Sequence, residues 1–425
     1  MAWADMMIAF PARMAARDVR GRILELDVLR GVSILLVLLH HAMRTPDTGS
    51  WLYPPFILVS QIGWTGVDIF FVLSGFLVGG LLMREYRDTG KLAPGRFWVR
   101  RAFKVWPTFY AHLFAYACAV LLVEPAATRA VRARVLAAYL WPNLLHVQNY
   151  FNQVELAWLW SLAVEEHFYL VLPWTLLLLT RRAARGNVGR TVGQRLAVCF
   201  GGVAVLCLAL RGITAALIAH VEPDPFLFPT HLRIDALFCG VVLAYVAQFH
   251  GGRLQRLYPY RYVILAVSLF AWAPLASRHG DYFCLYPFGP TLIYLGAGGL
   301  VLFAHLASTR DDLRQPTQLG RLLRIPLVVC AWLGVRSYAI YVWHYYFGPP
   351  IAVRVVHLLH LEQPAIAINL VYVGSFILVG AIMYPLVELP GLRARQRFVP
   401  ANPVEPTRSL AEVPAVAAPS HDYSR

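Results

Sequence analysis

The stretch LDVLRGVSILLVLLHHA, residues 26–42, sets Asp27 and Arg30 at one end of an apolar run and His40 and His41 at the other. Its apolar side chains occupy every helical register, which predicts a segment surrounded by protein or lipid rather than by water. The eleven steps from Arg30 to His41 make about three turns plus 20° and rise about 16 Å. Arg30 and His41 therefore share one face, about half a bilayer apart, while His40 points about 100° away. Whatever accepts the guanidinium at one level must accept the imidazole at the other.

Outward from this run the same character continues. Of 425 residues, 58% are hydrophobic and only 14% charged, where a soluble chain carries about a quarter charged residues. Ten stretches approach the ~20 apolar residues that cross hydrocarbon, near 24–43, 66–83, 105–123, 158–179, 196–218, 231–249, 262–277, 288–307, 327–347 and 364–387. The expected fold is all-α, a polytopic transmembrane helix bundle of about ten spans. With the N-terminus in the cytoplasm, most of the 38 Lys and Arg fall in the N-terminal segment, alternate loops and the C-terminal tail. That is the positive-inside arrangement. It predicts both termini in the cytoplasm of a multi-pass protein of the cell's inner (plasma) membrane, and the net charge of +15 needs no nucleic-acid partner.

The domains expected are a cytoplasmic segment 1–22, a transmembrane domain 23–390, and a cytoplasmic tail 391–425 whose Pro-, Ala- and Ser-rich end lacks periodicity. The first residues hold Arg and Asp without a cleavable signal pattern, so the first span is expected to stay as an anchor. Residues 124–157 form the longest outer loop, and ATRAVRARVLAAYL within it predicts a helix on the membrane surface. Cysteines 118, 199, 207, 239, 284 and 330 show no metal-ligand spacing and read as packing thiols.

A charge at mid-bilayer costs roughly 2.5–3.5 kcal/mol on insertion scales, so each one needs a reason. Beside the first span, GVDIFFVLSGFLVGG (66–80) holds Asp68 and Ser74, and WLWSLAVEEHFYLVLP (158–173) holds Glu165, Glu166 and His167. HLRIDALFCG (231–240) holds Arg233 and Asp235, and SYAIYVWHYY (337–346) ends near His344. The expected orientation brings ionisable groups from five spans to one outer level. Ser161, Glu165 and Tyr169 recur every four residues as a polar stripe, whereas Glu166 shares its face with Leu162 and Leu170. Ser337, Tyr341 and His344 form a similar stripe. At the cytoplasmic edge, GRFWVRRAFKVWP (95–107) gathers Arg96, Arg100, Arg101 and Lys104; the last two, three apart, can grip one phosphate. The structural alternative for each group is an interhelical pair that only pins the bundle.

Six segments together resemble the acyltransferase family 3 membrane proteins: LDVLRGVSILLVLLHHA, GVDIFFVLSGFL, FWVRRAFKVWP, WSLAVEEHFYL, LRIDALFCG and SYAIYVWH, in order between residues 26 and 344. The resemblance implies an enzyme that transfers acyl groups to hydroxyls of sugars and related molecules. It implies that the family's Arg-x10-His pair falls on Arg30 and His41, and its Arg-x-x-Arg motif on Arg101 and Lys104. The lysine there is a point charge without the guanidinium fork. Val28 and His167 replace a usual Gly and Gln. Some members carry a fused C-terminal esterase-like domain, for which this chain ends too soon.

From that resemblance follow the expected roles. His41 is the candidate general base, since an imidazole titrates near working pH, and Glu165 or Asp68 is the carboxylate expected to orient it. Acyl-CoA, acetyl-CoA foremost, is the donor on the cytoplasmic side; Arg100, Arg101 and Lys104 are its expected phosphate ligands. Arg30 is assigned to the donor in preference to pairing with Asp27. Ser161, Tyr169, Arg233, Asp235, Tyr341 and His344 are expected to line the acceptor's place. The partners are then the bilayer, acyl-CoA and a carbohydrate or lipid-linked glycan, with a second copy of the chain as a further candidate. No metal and no permanently bound cofactor are expected. The competing reading is a proton-coupled transporter or flippase that relays protons through the same residues.

Overall fold

The computed structural model describes residues 23–41, 49–51, 53–123, 125–151, 156–181, 188–217, 228–276, 287–309, 318–361 and 365–400. Among them there is no strand. Helix α1 (Leu24–His40) opens with Glu25 and Asp27 in its first turn, where carboxylates meet the positive end of the helix dipole. α2 (Tyr53–Ile62) leads through a 3-10 turn into α3 (Gly66–Thr89). Gly90, left-handed at φ 68°, stops α3 and donates its N–H to the Tyr86 carbonyl at 2.8 Å. α4 (Pro94–Cys118) starts on proline, whose missing N–H costs nothing at that position.

α5 (Ala126–Leu144) covers the segment expected to be helical in the long loop. There follow α6 (Trp160–Thr180), α7 (Val188–Leu217), α8 (Ile234–Phe249), α9 (Arg261–Phe270), α10 (Gly289–Ser308), α11 (Gln318–Leu358) and α12 (Ala365–Met383). A π-helical turn, Tyr384–Glu388, then joins α12 to α13 (Leu389–Phe398).

Seven helices among the described residues are long and apolar enough to cross a membrane, and the protein is a multi-pass membrane protein. Three expected spans are shorter helices, of 17, 16 and 10 residues: α1, α8 and α9. The boundary drawn at residue 390 also shifts. α13 carries the helical chain on to Phe398, so residues 391–398 belong to the folded bundle; 401–425 lie outside the described residues.

Small residues set the closest helix crossings. A methyl group on Gly31 of α1 would lie 1.9 Å from the Cys330 carbonyl oxygen, and one on Gly334 of α11 would lie 1.8 Å from that of Asp27. Only glycine lets these two backbones touch, and the same device joins α3 to α8 at Gly75 and Gly240. α1 packs against α3, α10 and α11, which places its apolar run at the centre of the bundle.

Candidate active site

A half-enclosed chamber of about 190 Å³ lies between α1, α3, α4, α6, α11 and α13. Each helix contributes between one and three polar side chains. α1 supplies Arg30, α4 Arg101 and Lys104, and α6 Ser161, Glu165 and Tyr169. Ser74, Ser337, Tyr338, Tyr341, Glu388 and Arg395 complete its polar wall. Periodicity explains the α6 contribution, because residues four apart on a helix face the same way. Glu166, one position on, turns instead into a more apolar groove with Trp98, Trp106 and Tyr110, where the Trp106 indole N–H donates to it at 3.3 Å.

Hydrogen bonds order the chamber. The Tyr169 hydroxyl donates to Glu165 Oε2 at 3.2 Å, which leaves Ser74 Oγ to donate to Tyr169 Oη at 2.6 Å. The Tyr341 hydroxyl gives its proton to the Trp158 carbonyl at 2.6 Å, so Ser161 Oγ must donate to Tyr341 Oη, also at 2.6 Å. Arg101 lies over the Tyr169 ring at 5.3 Å and over Phe97 at 5.7 Å. Arg30 lines the chamber while its Nη1 donates to Asp27 Oδ1 at 2.8 Å.

The two histidines at the end of α1 part company. His40 Nδ1 donates to the Ser60 carbonyl at 2.7 Å, which ties α1 to α2. His41 Nδ1 lies 3.2 Å from His344 Nε2, and His344 Nδ1 lies 2.7 Å from the Tyr341 carbonyl. Neither imidazole lines the chamber. They adjoin its Tyr341 end, where the Tyr341 and His344 ring centroids are 5.9 Å apart. The Tyr345 ring covers His41 at 5.0 Å.

The remaining expected site residues lie elsewhere. Asp68 Oδ1 accepts from Arg233 Nη2 at 2.6 Å with both side chains fully buried, so this carboxylate engages a guanidinium and not His41. Asp235 is bonded to Arg211 at 2.9 Å. Arg211 also reaches the Leu232 carbonyl and Thr291 Oγ1, each at 2.8 Å. Arg100 donates to the Val399 carbonyl and Arg96 to that of Pro400, which docks the end of α13 on α4 beside the stacked rings of Phe103 and Phe398. The single outer level expected from five spans thus resolves into three neighbourhoods: chamber, imidazole pair and buried ion pairs.

Three participants escaped the sequence reading. Arg211 is a lone guanidinium inside the fifth span, a signal in itself. Glu388 and Arg395 are seven residues apart, about two turns, and so fall on one face. Both stand at the end of the last span, where charged residues are ordinary. The described residues hold no cluster suited to a metal ion and no disulfide; Cys284 lies outside them.

Residues 23–385 match the model of an acyltransferase domain family. The chain is similar to the peptidoglycan O-acetyltransferase OatA of Listeria monocytogenes, at 24% identity over 434 residues, covering 96% of this chain and 63% of that protein. It is also similar to the O-acetyltransferase OatA of Staphylococcus aureus, at 26% identity over 375 residues, covering 86% and 56% respectively. The chain spans about three fifths of the length of the curated relatives it matches. No solved structure matches it.

Proposed function

The chain belongs to the acyltransferase domain family, and from that premise we propose that it moves an acetyl or short acyl group from acyl-CoA to a hydroxyl of a carbohydrate. The name of the Listeria monocytogenes relative, a peptidoglycan O-acetyltransferase, supports a cell-wall glycan as acceptor, and the proposed place of work is the cell's inner membrane. One observation carries the reading: Arg30, Arg101, Lys104 and Arg395 share a chamber with Glu165 and Glu388, and that chamber ends against Tyr341 beside the His41–His344 pair. Four basic side chains outnumber Glu165 and Glu388 of the chamber wall and the Asp27 partner of Arg30, and the excess of positive charge inside a membrane bundle suits an anionic ligand such as the phosphates of CoA. The separation of about 16 Å along α1 from Arg30 to His41 matches the reach of a pantetheine arm.

In this scheme His41 removes the proton from the acceptor hydroxyl as its oxygen attacks the thioester carbonyl carbon. The tetrahedral intermediate collapses with cleavage of the C–S bond. The CoA thiolate then recovers the proton from the imidazolium, leaving a sugar ester and CoA thiol. To reach His41 the thioester must pass Tyr341, which the Ser161 hydroxyl and the Trp158 carbonyl hold in place. The membership in an acyltransferase family favours this use of the buried polar groups over proton-coupled transport.

The test is direct. Protein in lipid nanodiscs is incubated with acetyl-CoA labelled in the acetyl group and with isolated glycan strands of peptidoglycan. Alkali-labile label on the glycan is expected, and it is expected to vanish in His41→Asn. Release of CoA without an ester, or equal ester formation by His41→Asn, would overturn the proposal.

A further inference from the structure

A general base needs a fixed ring and a bare nitrogen, and a carboxylate is the usual orienting group. Here both carboxylates expected to orient His41 are engaged elsewhere, Asp68 by Arg233 and Glu165 by Tyr169. The atom that meets His41 is His344 Nε2, at 3.2 Å. The other nitrogen of that ring, Nδ1, lies 2.7 Å from the Tyr341 carbonyl oxygen. A carbonyl can only accept, so Nδ1 of His344 carries hydrogen. His344 is fully buried and touches no carboxylate among its hydrogen bonds, and an unpaired buried cation would be costly, so the ring is neutral. A neutral imidazole has one N–H, which leaves Nε2 of His344 as a lone pair. Facing that lone pair, His41 Nδ1 must be the donor.

Resting on the assignment of His41 as the base, we infer that His344 is its positioning residue. It holds the His41 ring in the tautomer protonated at Nδ1 and leaves His41 Nε2 bare to take the acceptor proton. The chain of polarity runs from the Tyr341 carbonyl through His344 to His41 and ends on that nitrogen. A backbone carbonyl thus does the work that a carboxylate does in a triad, with a second imidazole as the link. The surroundings keep the link rigid. Phe376 of α12 packs on the His344 ring at 5.6 Å between centroids, and Gly348 makes room for Phe376, whose ring a methyl group there would meet at 2.3 Å.

Nitrogen-15 NMR of histidine-labelled protein in lipid bilayers reads the tautomer without any substrate. The His41 signals, assigned by their loss in His41→Asn, are expected to show hydrogen on Nδ1 and none on Nε2. His344→Leu is expected to release the ring to the Nε2–H form, and His344→Gln, whose amide oxygen accepts near the position of Nε2, is expected to keep the Nδ1–H form. With labelled acetyl-CoA and peptidoglycan strands, His344→Leu should lower kcat by about 100-fold with the donor KM unchanged, and His344→Gln should restore most of it. Hydrogen on His41 Nε2 in the unaltered protein, or equal loss of kcat in both variants, overturns the inference. If the tautomer is as stated and His41→Asn still transfers acetyl, the positioning stands and it is the assignment of the base that falls.

Discussion

His41 and Lys104 are eleven and three residues from arginines that face the same chamber, yet their substitution should fail in different ways. His41→Asn removes the proposed base, and kcat should fall by roughly 10²- to 10⁴-fold while acetyl-CoA still binds, as titration calorimetry of the purified protein would record. Lys104→Ala and Arg395→Gln each remove one charge from the chamber wall. A hydrogen bond to a charged group contributes about 1.5–3 kcal/mol, so each should raise the donor KM about tenfold or more with a smaller effect on kcat. Arg100→Gln is the contrast. Its guanidinium holds the Val399 carbonyl, so its loss should lower the melting temperature and leave the donor KM where it was. At this scale the sequence spoke through helical period: Glu165 and Glu166 are adjacent, and a 100° turn puts one in the chamber and the other in the neighbouring groove. Which atom meets which could not be read, because His344 lies 303 residues from the imidazole it bonds.

Helices approach one another here as closely as their glycines permit. Gly31→Val on α1 would drive a side chain into the Cys330 carbonyl, and overpacking of this kind costs about 1–3 kcal/mol. The separation of α1 from α11 would also pull Arg30 from the chamber. The expected result is a lower melting temperature together with loss of transfer. Gly212→Val on α7 meets no atom within 4 Å of the added Cβ and should change neither. The π-helical turn at Tyr384–Glu388 is a second element with consequences, since a wide turn resets the register of the helix that follows. Glu388 at its end and Arg395 beyond it both reach the chamber. Nothing in the hydropathy of the last span announces such a turn. α13, Leu389–Phe398, thus runs past the boundary expected at residue 390.

Two buried ion pairs, Asp68–Arg233 and Asp235–Arg211, link α3 and α7 to the N-terminal end of α8. Removing one partner of a buried pair leaves an uncompensated charge and costs about 3–5 kcal/mol. Asp235→Leu alone should therefore unfold the protein in detergent well below the melting temperature of the parent. The double variant Asp235→Leu/Arg211→Met removes both charges and should recover most of the loss, because apolar side chains of similar volume replace such pairs at little cost. Recovery of stability without the charges would mark the pair as a brace of the bundle. A double variant no more stable than the single one would show instead that the charges serve each other in a way packing cannot replace.

By itself the amino-acid sequence determined the helical class, the membrane setting and the polar stripes of α6 and α11. All three follow from local periodicity and from the cost of placing polar groups in hydrocarbon. Only the tertiary structure decided how those stripes divide among the chamber, the imidazole pair and the ion pairs. A polar group in a membrane must find a partner, and many arrangements of the same helices would satisfy that need. The glycine crossings narrow the choice, because they fix how closely α1 meets α11 and α3 meets α8.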